Sequence, residues 1–265
     1  SSDLQMMRII VTGSTGFVGR NLAEGLFRVG CHVVATGRSA SKGLELQQQG
    51  IDFQEADIRK GDEIVRAFSP VDVLIHCAAR IGPWGRYSEF YETNVLGTRN
   101  VIDACRHHNI RKIVFISTPS IYFTGKDRYN ISENDPLPVR QASHYSKTKL
   151  MAEQELLSHC HDGFKTIIFR PRALCGPYDE TFVPRILRMA DKKRMPLVNG
   201  GRALVDITYV DDFIVAVKKA LDSPEEAWNQ AYNISNGDPI RVREWFAQVL
   251  QVFGKPFRPK SVPEY

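Results

Sequence analysis

A glycine-rich turn close to the start of the chain constrains the fold more than any other feature. The apolar run from Ile9 to Val11 stops at Gly13, and Gly16 and Gly19 follow at intervals of three residues. An amphipathic helical pattern begins directly after the third glycine. In a strand, turn and helix of this kind, the backbone can approach a pyrophosphate, and the helix N-terminus stabilises its charge. The sequence therefore predicts a dinucleotide-binding unit.

The glycines of this turn have different expected tasks. Gly13 permits the tight turn, Gly16 leaves room for the phosphate, and Gly19 lets the helix pack on the strand. The other turn residues that we expect beside the cofactor are Thr15, Phe17 and Val18.

Apolar strands alternate with helical patterns over the first two thirds of the chain. The predicted strands are Arg8–Thr12, His32–Thr36, Asp52–Glu55, Val71–His76, Lys112–Ser117 and Lys165–Phe169. The predicted helices include Gly16–Val29, Asp62–Phe68, Ser88–His108 and Gln141–Cys160. Because continuous apolar strands joined by helices bury both faces of a sheet, we predict a parallel sheet covered on both sides. The fold class is α/β, with a Rossmann-like doubly wound parallel sheet over residues 7–170.

The periodicity changes after Pro171, where we expect a smaller α/β substrate-binding lobe over residues 171–265. Its predicted elements are Thr181–Lys192, Leu204–Val210, Asp211–Leu221, Ala231–Ile234 and Val242–Phe253. At the chain ends we expect a disordered leader over Ser1–Met6 and no clear element over Lys255–Tyr265. The sequence leaves open whether the native chain continues beyond Tyr265.

The composition and residue spacing argue against several classes of protein. The net charge of +5 over 265 residues is modest and the basic residues are dispersed, so we expect no nucleic-acid surface. Five widely spaced cysteines indicate free thiols in a reducing compartment. Since there is no signal peptide and no apolar run of about 18 residues, we predict a cytoplasmic protein without a membrane segment. The neighbouring histidines do not share a helix face, so no metal site is expected.

The residues after the second and third predicted strands bear on the choice of cofactor. Where an acidic residue would bind the ribose 2′-hydroxyl of NAD, the chain has Arg38 followed by Ser39. Because an Arg at this place accommodates a 2′-phosphate, we predict that NADP(H) is favoured over NAD(H). Asp57 and Ile58 follow the third strand, where the acid either bonds the adenine amine or caps a turn.

One tyrosine and one lysine carry the predicted chemistry. Tyr145 and Lys149 are four residues apart on a predicted helix and therefore share a face. A free phenol titrates near ~10, but an ammonium close by favours the phenolate and lowers its pKa. We predict that Tyr145 exchanges a proton with an alcohol or carbonyl, and that Lys149 lowers the phenol's pKa and binds the nicotinamide ribose. Thr118, at the C-terminal end of a strand, would fix the substrate oxygen.

Together these patterns resemble an extended short-chain dehydrogenase/reductase. The matching stretches are Thr12–Gly19, His76–Ala79, Asn94–Thr98, Ser117–Thr118, Tyr145–Lys149 and Arg170–Pro177. The resemblance implies a Ser/Thr-Tyr-Lys catalytic set, hydride transfer, and a homodimer through helices beside the fourth and fifth strands. Further cofactor-binding residues that it implies are Ala78, Ala79, Ser117 and Pro171. Ser120 is a second candidate for the catalytic hydroxyl, and the residues expected to contact the substrate are Trp84, Ser120, Tyr122 and Arg172.

Two branches of this family suggest different classes of substrate. One contains 3β-hydroxysteroid and sterol-carboxylate dehydrogenases with related β-keto-acid reductases, and the other contains nucleotide-sugar epimerases and dehydratases. We favour the first, because apolar Val205 stands where nucleotide-sugar enzymes typically have a diphosphate-binding Arg. The aromatic loop around Trp84 could also wall an apolar pocket.

Other interpretations remain beside this one. The basic residues between Arg185 and Arg202 form either a solvated face or a phosphate-binding site. Asn94 is either structural or part of a proton relay, and we favour the structural role. A cofactor-sensing regulator on the same fold is a further hypothesis, against which the intact Thr118, Tyr145 and Lys149 set argues.

Overall fold

A parallel sheet lies at the centre of the computed structural model, which describes residues 4–263. The strands are β1 (Arg8–Thr12), β2 (His32–Gly37), β3 (Asp52–Glu55), β4 (Val73–His76), β5 (Lys112–Ile116), β6 (Lys165–Pro171), β7 (Leu174–Cys175), β8 (Pro196–Val198), β9 (Leu204–Val205), β10 (Thr208–Tyr209), β11 (Gln230–Ile234), β12 (Ile240–Arg241) and β13 (Lys260–Val262). The α-helices are α1 (Phe17–Arg28), α2 (Ala40–Gln48), α3 (Gly61–Ala67), α4 (Tyr87–Tyr91), α5 (Gly97–His107), α6 (His144–Ser158), α7 (Phe182–Asp191), α8 (Val210–Leu221) and α9 (Val242–Val252).

The order of the strands shows double winding. The seven-stranded sheet has the order β11-β6-β5-β4-β1-β2-β3, and every neighbouring pair in it is parallel. The chain winds outward from β1 through β2 to β3, and then returns to the other side of β1 at β4. This reversal opens a crevice at the carboxyl edge of the sheet between β1 and β4, the usual ligand site of such folds. The predicted fold class is confirmed.

The strands are apolar because both faces of the sheet are covered. Ile9 and Val11 point into one core, which also contains Leu22 of α1 and Leu46 of α2. Ile10 points into a second core with residues of α3, α5 and α6. All three β1 residues are fully buried, so each contributes on the order of 2 kcal/mol of hydrophobic stabilisation. Among residues 4–263, no helix is both long and apolar enough to cross a membrane.

Two elements that we placed in the smaller lobe belong instead to the main sheet. β11 pairs with β6 in parallel, with Ala231 opposite Ile168. α8 packs on α1 and buries Phe213 and Val217 in the same core as β1. The sequence order misled the prediction, because the chain leaves the sheet after β6 and later returns to its edge.

The remaining elements after β6 form a smaller unit with its own core. That core contains Ile186 of α7, Leu197 of β8 and Leu250 of α9. The strand predicted at Leu204–Val210 is two strands, since β9 pairs with β12 and β10 pairs with β7. The boundary at residue 171 stays a prediction.

Both chain ends contain structure that the sequence analysis missed. Leu4–Met6 form a short 3-10 turn, and Leu4 is 6% exposed in the main core, so the predicted disordered leader is wrong there. β13 pairs with β8 in a segment where we expected no element. Those expectations also included residues 1–3 and 264–265, which lie outside the described part of the chain.

Candidate active site at the carboxyl edge of the sheet

The turn between β1 and α1 depends on glycine at defined positions. Gly13 has a φ of +73°, and a Cβ on it would lie 2.7 Å from the backbone nitrogen of Ala78. A Cβ on Gly19 would lie 2.3 Å from the carbonyl oxygen of Gly13, so the helix packs directly on the turn. Gly16 is exposed at the N-cap of α1. An open N-cap without a side chain fits the diphosphate of a dinucleotide.

The other predicted turn residues lie around this N-cap. Phe17 and Val18 begin α1 and are half-buried. Thr15 packs on the end of β2, where a Cβ on Gly37 would lie 2.6 Å from the Thr15 hydroxyl oxygen. The turn is thereby held next to the strand end at which the adenosine half of a dinucleotide binds in this type of sheet.

A buried histidine at the end of β4 forms a hydrogen bond with the strand end that precedes the turn. The ring nitrogens of His76 lie 2.7 Å from the Thr12 hydroxyl and 3.1 Å from the Thr98 hydroxyl. The backbone nitrogen of Ala78 also donates to Thr12, at 3.3 Å. Burial lowers the pKa of His76 to about 3, with a smaller effect from the Lys149 charge, so the ring is neutral. We used His76 only as part of a motif and missed this bridging position, which a sequence does not reveal.

Arginines surround the site expected for the adenosine end. A cavity of about 440 Å³ is lined by residues that include Arg38, Arg59, Ala79 and Arg80. Arg38 is exposed, and its positive charge contributes to lowering the pKa of the Asp57 carboxyl. Ser39 caps α2 through its hydroxyl, which accepts from the Lys42 backbone at 3.4 Å.

The Asp57 carboxylate is already engaged within the protein. It accepts hydrogen bonds from the Arg59 backbone at 3.0 Å and from the Arg59 guanidinium at 2.5 Å. Burial opposes ionisation of Asp57, but the bonds from Arg59 outweigh it and lower the carboxyl pKa. Ile58 is buried, and its carbonyl accepts from Asn100 at 2.8 Å. The carboxylate is thus an ion-pair partner, and its predicted contact with adenine stays a prediction.

The three predicted catalytic residues lie together beyond β5 and on α6. The Thr118 hydroxyl lies close enough to the Tyr145 phenol to affect the pKa of that phenol. Thr118 also donates to the Ser120 hydroxyl at 2.9 Å and accepts from the Ser120 backbone at 3.2 Å. α6 begins at this point because Ser143 and Ser146 form a reciprocal capping box. A phenol and two hydroxyls therefore lie together at one edge of the sheet, and Lys149 is buried one turn further along α6.

The electrostatics differ from our expectation for Tyr145. Burial raises the pKa of its phenol to about 12, and the nearby Thr118 hydroxyl offsets this only in part. The predicted lowering is therefore wrong for this arrangement, because desolvation is the larger effect. The Lys149 ammonium instead donates to the Ile116 carbonyl oxygen at 2.6 Å and lies 3.8 Å from the Phe115 ring centroid. Burial lowers the pKa of Lys149 to about 7, although the Glu153 charge opposes the change.

A buried ion pair lies directly behind these residues. The Arg170 guanidinium donates to the Glu153 carboxylate at 2.6 and 3.1 Å, and both side chains are almost fully buried. Ser117 donates to the same carboxylate, and Arg170 also donates to the Tyr122 hydroxyl. Tyr122, predicted to contact substrate, is 2% exposed, so the structure places it in the core beside the site. The sequence analysis missed Glu153 as a site residue.

Asn94 connects the loop after β4 to α6. Its side chain accepts from the Arg80 backbone nitrogen at 2.7 Å and donates to the Arg80 carbonyl at 3.1 Å. It also donates to the Thr148 hydroxyl at 3.0 Å. Asn94 lies in a π-helical turn at Glu92–Leu96, which interrupts the single helix that we predicted over Ser88–His108. These hydrogen bonds support a structural role for Asn94.

The remaining predicted residues lie at the rim of the crevice. Trp84 is 86% exposed in the loop after β4. Pro171 is the buried last residue of β6, and the exposed Arg172 follows it. The Arg172 backbone nitrogen donates to the Ile234 carbonyl at 2.8 Å, which joins this rim to β11. The roles predicted for Trp84, Pro171 and Arg172 stay predictions.

Comparison with known families agrees with this geometry. A family model described as the NAD dependent epimerase/dehydratase family matches residues 9–235. The chain belongs to this family. Its members among the relatives are named reductases and dehydrogenases, so the predicted enzyme class and the resemblance to extended short-chain dehydrogenase/reductases are confirmed.

Several relatives are similar to the chain over most of its length. A 2-alkyl-3-oxoalkanoate reductase of Stenotrophomonas maltophilia is 36% identical, covering 97% of this chain and 78% of its own. A ketoreductase of Stigmatella aurantiaca, named for a farnesyl dihydroquinoline-oxide, is 30% identical, covering 97% and 76%. The human decarboxylating sterol-4-alpha-carboxylate 3-dehydrogenase is 27% identical, covering 93% and 66%. The similarity to the sterol branch is therefore confirmed.

Solved structures share the fold. The Thermus thermophilus UDP-glucose 4-epimerase in complex with NAD has a TM-score of 0.81 and 26% identity, covering 97% of this chain and 86% of its own. DesIV, a dTDP-glucose 4,6-dehydratase of Streptomyces venezuelae with NAD and TYD bound, has a TM-score of 0.84 at 22% identity, covering 98% and 85%. Both structures contain NAD, and the second is similar in fold alone.

Proposed function

We propose that this protein is an NAD(P)-dependent oxidoreductase that interconverts a ketone and a secondary alcohol on a bulky apolar substrate. A β-keto or β-hydroxy acid with alkyl chains, or a 3β-hydroxysteroid, is the class of substrate that we favour. The single observation that carries the proposal is that the Thr118 hydroxyl lies beside the Tyr145 phenol at the carboxyl edge, with the buried Lys149 one helical turn after Tyr145. The 36% identity to a 2-alkyl-3-oxoalkanoate reductase supports the β-keto acid in particular.

Three residues of the chain have separate roles in ketone reduction. When bound, the nicotinamide supplies the hydride that adds to the carbonyl carbon. Thr118 donates a hydrogen bond to the carbonyl oxygen and orients it beside the Tyr145 phenol. Tyr145 gives its proton to that oxygen, which completes the alcohol, and the Lys149 ammonium stabilises the phenolate that remains. A phenol whose pKa is raised by burial is fully protonated at neutral pH, which suits the direction of reduction.

NADP(H) is the cofactor that we favour. Exposed Arg38 follows β2, and Arg59 and Arg80 line the same cavity. Glu89 and Glu92 also line this cavity, Arg80 pairs with Glu89 and Arg59 pairs with Asp57. Arg38 is therefore the guanidinium that we assign to the 2′-phosphate, which accepts paired hydrogen bonds from such a fork. The ion pair between Arg59 and Asp57 offsets the charge of that carboxylate, which would otherwise oppose a phosphate nearby.

Nucleotide-sugar epimerisation or dehydration is the alternative reaction. Val205 lies in β9, opposite Ile240 of β12, and its apolar side chain cannot bind a diphosphate through a charged hydrogen bond. We therefore place this reaction second.

A substrate panel tests the proposal. Purified protein is mixed with NADPH or NADH and with 2-alkyl-3-oxoalkanoates, 3-ketosteroids or UDP- and dTDP-sugars, while nicotinamide absorbance is followed. We expect oxidation of NADPH with the oxoalkanoates. Turnover or tight binding confined to nucleotide sugars would favour the alternative reaction, and no dinucleotide binding would refute both.

A further inference from the structure

The buried ion pair behind the candidate site has a geometry that a mere core contact does not require. Glu153 lies one helical turn after Lys149 on α6, so the two side chains share a face. Glu153 is 1% exposed, and its carboxylate accepts three hydrogen bonds, one from Ser117 and two from the Arg170 guanidinium. The carboxylate is therefore fixed in place rather than free to rotate.

The hydrogen bonds around Glu153 connect the end of β5 with α6, the two elements that carry the candidate site. Ser117 immediately precedes Thr118 at the end of β5. Arg170 also binds Tyr122, the last residue of the short turn Pro119–Tyr122 that follows Thr118. A single buried group thus joins the strand end that carries the hydroxyl to the helix that carries the phenol and the ammonium.

The surroundings of Lys149 otherwise disfavour a positive charge. The side chain is 2% exposed, and its direct contacts are the Ile116 carbonyl and the Phe115 ring. The titratable groups that face it from β4 and the residue after β4 are His76 and Cys77. Burial lowers the pKa of His76 to about 3 and raises the pKa of Cys77 to about 12, so both are neutral near pH 7.

We propose that Glu153, held by Arg170 and Ser117, is a positioning residue that favours the charged form of the buried Lys149 side chain and fixes the Thr118 strand end against α6. Among the described residues, Glu153 provides the carboxylate charge that acts on Lys149. Arg170 holds this carboxylate from β6, the strand next to the β5 residue whose carbonyl accepts from Lys149. The use of the ammonium in proton transfer rests on the proposed function, whereas its charge state does not.

The test measures the titration of Lys149 directly. Protein labelled with ¹³C at lysine Cε is followed by NMR between pH 5 and pH 11, and the Lys149 signal is assigned with Lys149→Arg. The main variant is the double substitution Glu153→Gln and Arg170→Gln, because removing Glu153 alone would leave Arg170 as an unpaired buried charge. We expect the apparent pKa of Lys149 to fall by about one pH unit or more in the double variant.

Two further variants separate a charge effect from a general disturbance. Glu155→Gln removes a carboxylate from the same helix, where it pairs with Arg99 on the surface, and should leave the Lys149 titration unchanged. Glu153→Asp keeps the charge and should retain most of the wild-type pKa even if the double variant does not fold. An unchanged Lys149 pKa in the double variant, or a fall in Glu153→Asp as large as that expected for loss of the charge, would overturn the proposal.

The outcome does not depend on finding the substrate. If the Lys149 pKa falls as expected and no ketone in the panel is reduced by the wild-type protein, the proposed function fails while the assignment of Glu153 stands. If the wild type reduces ketones, the double variant should lower kcat more than it raises KM, and the alkaline loss of activity should begin at lower pH.

Discussion

The Thr118 hydroxyl lies close enough to the Tyr145 phenol to affect its pKa, although Tyr145 lies on α6 and Thr118 follows β5. Any oxygen of a substrate that lies between these groups can accept from both. Because the two groups are already neighbours before a substrate arrives, little movement is needed for proton transfer.

Tyr145→Phe removes the proton donor while keeping the ring. We expect turnover of the best ketone substrate to fall by about 10²- to 10⁴-fold, the usual contribution of a positioned acid. Dinucleotide affinity, measured by calorimetry, should stay nearly the same, because the turn after β1 is untouched. Tyr129→Phe, at a residue that is 66% exposed, is the control and should have wild-type activity. Substantial turnover by the Tyr145 variant would contradict the role of the phenol.

Gly13→Ala should weaken both the fold and dinucleotide binding. The new Cβ would lie 2.7 Å from the Ala78 backbone nitrogen at a φ of +73°, so the turn must move. We expect a loss in the free energy of unfolding of more than about 1 kcal/mol, measured by urea denaturation. Gly125→Ala is a matched control, because Gly125 has a φ of +83° but open space around its Cα. Similar losses in both variants would show that backbone strain, and not the contact with Ala78, is responsible.

Arg38→Ala should change the choice between the two dinucleotides. Loss of a charged hydrogen bond to the 2′-phosphate should weaken NADP⁺ binding by roughly 10- to 100-fold. NAD⁺ has no such phosphate, so its dissociation constant should change little. Arg28→Ala, at the far end of α1, removes an exposed arginine elsewhere and controls for net charge. Equal weakening of NAD⁺ and NADP⁺ would count against a specific phosphate contact.

The stability of the fold should depend on His76 in acid. Burial lowers the pKa of His76 to about 3 from an ordinary value of 6.5, so the unfolded chain binds this proton more readily. Stability from the neutral ring is therefore present above about pH 6.5 and is lost as the pH falls toward 3, with a total on the order of 4 kcal/mol.

Urea denaturation of His76→Gln at several pH values between 7.5 and 4 checks this expectation. The variant should be less stable at pH 7.5, yet its stability should fall less steeply with acid. His107→Gln, at an exposed position of α5, should keep the wild-type slope. An equal slope in His76→Gln and the wild type would show that the ring is not responsible.

The sequence predicted the parts of the fold that depend on local patterns. β1, the glycine turn and α1 were placed nearly to the residue, because strand, positive-φ glycine and amphipathic helix each have a local signature. The spacing of Tyr145 and Lys149 likewise placed both on one helix. These features depend on neighbours within a few positions, which a sequence displays directly.

Features that depend on distant partners were predicted poorly. β11 was recognised as a strand but assigned to the lobe, because nothing in its residues shows that its partner is β6. The pKa of Tyr145 was predicted in the wrong direction, since burial cannot be read from spacing. Glu153 was overlooked for the same reason: a glutamate on a helix is usually solvated, and only the fold brings Arg170 and Ser117 to it.

The return of the chain to the main sheet has a consequence for any attempt to produce the nucleotide-binding half alone. Cutting the protein after residue 170 would remove β11 and α8, leaving β6 as a bare, apolar strand and uncovering Leu26 on α1. Such an edge recruits other chains by backbone pairing, so we expect a shortened protein to aggregate rather than to bind dinucleotide. The smaller unit is thus joined to the main sheet at three crossings of the chain, after β6, before α8 and after β11, so it could not be removed as one continuous piece.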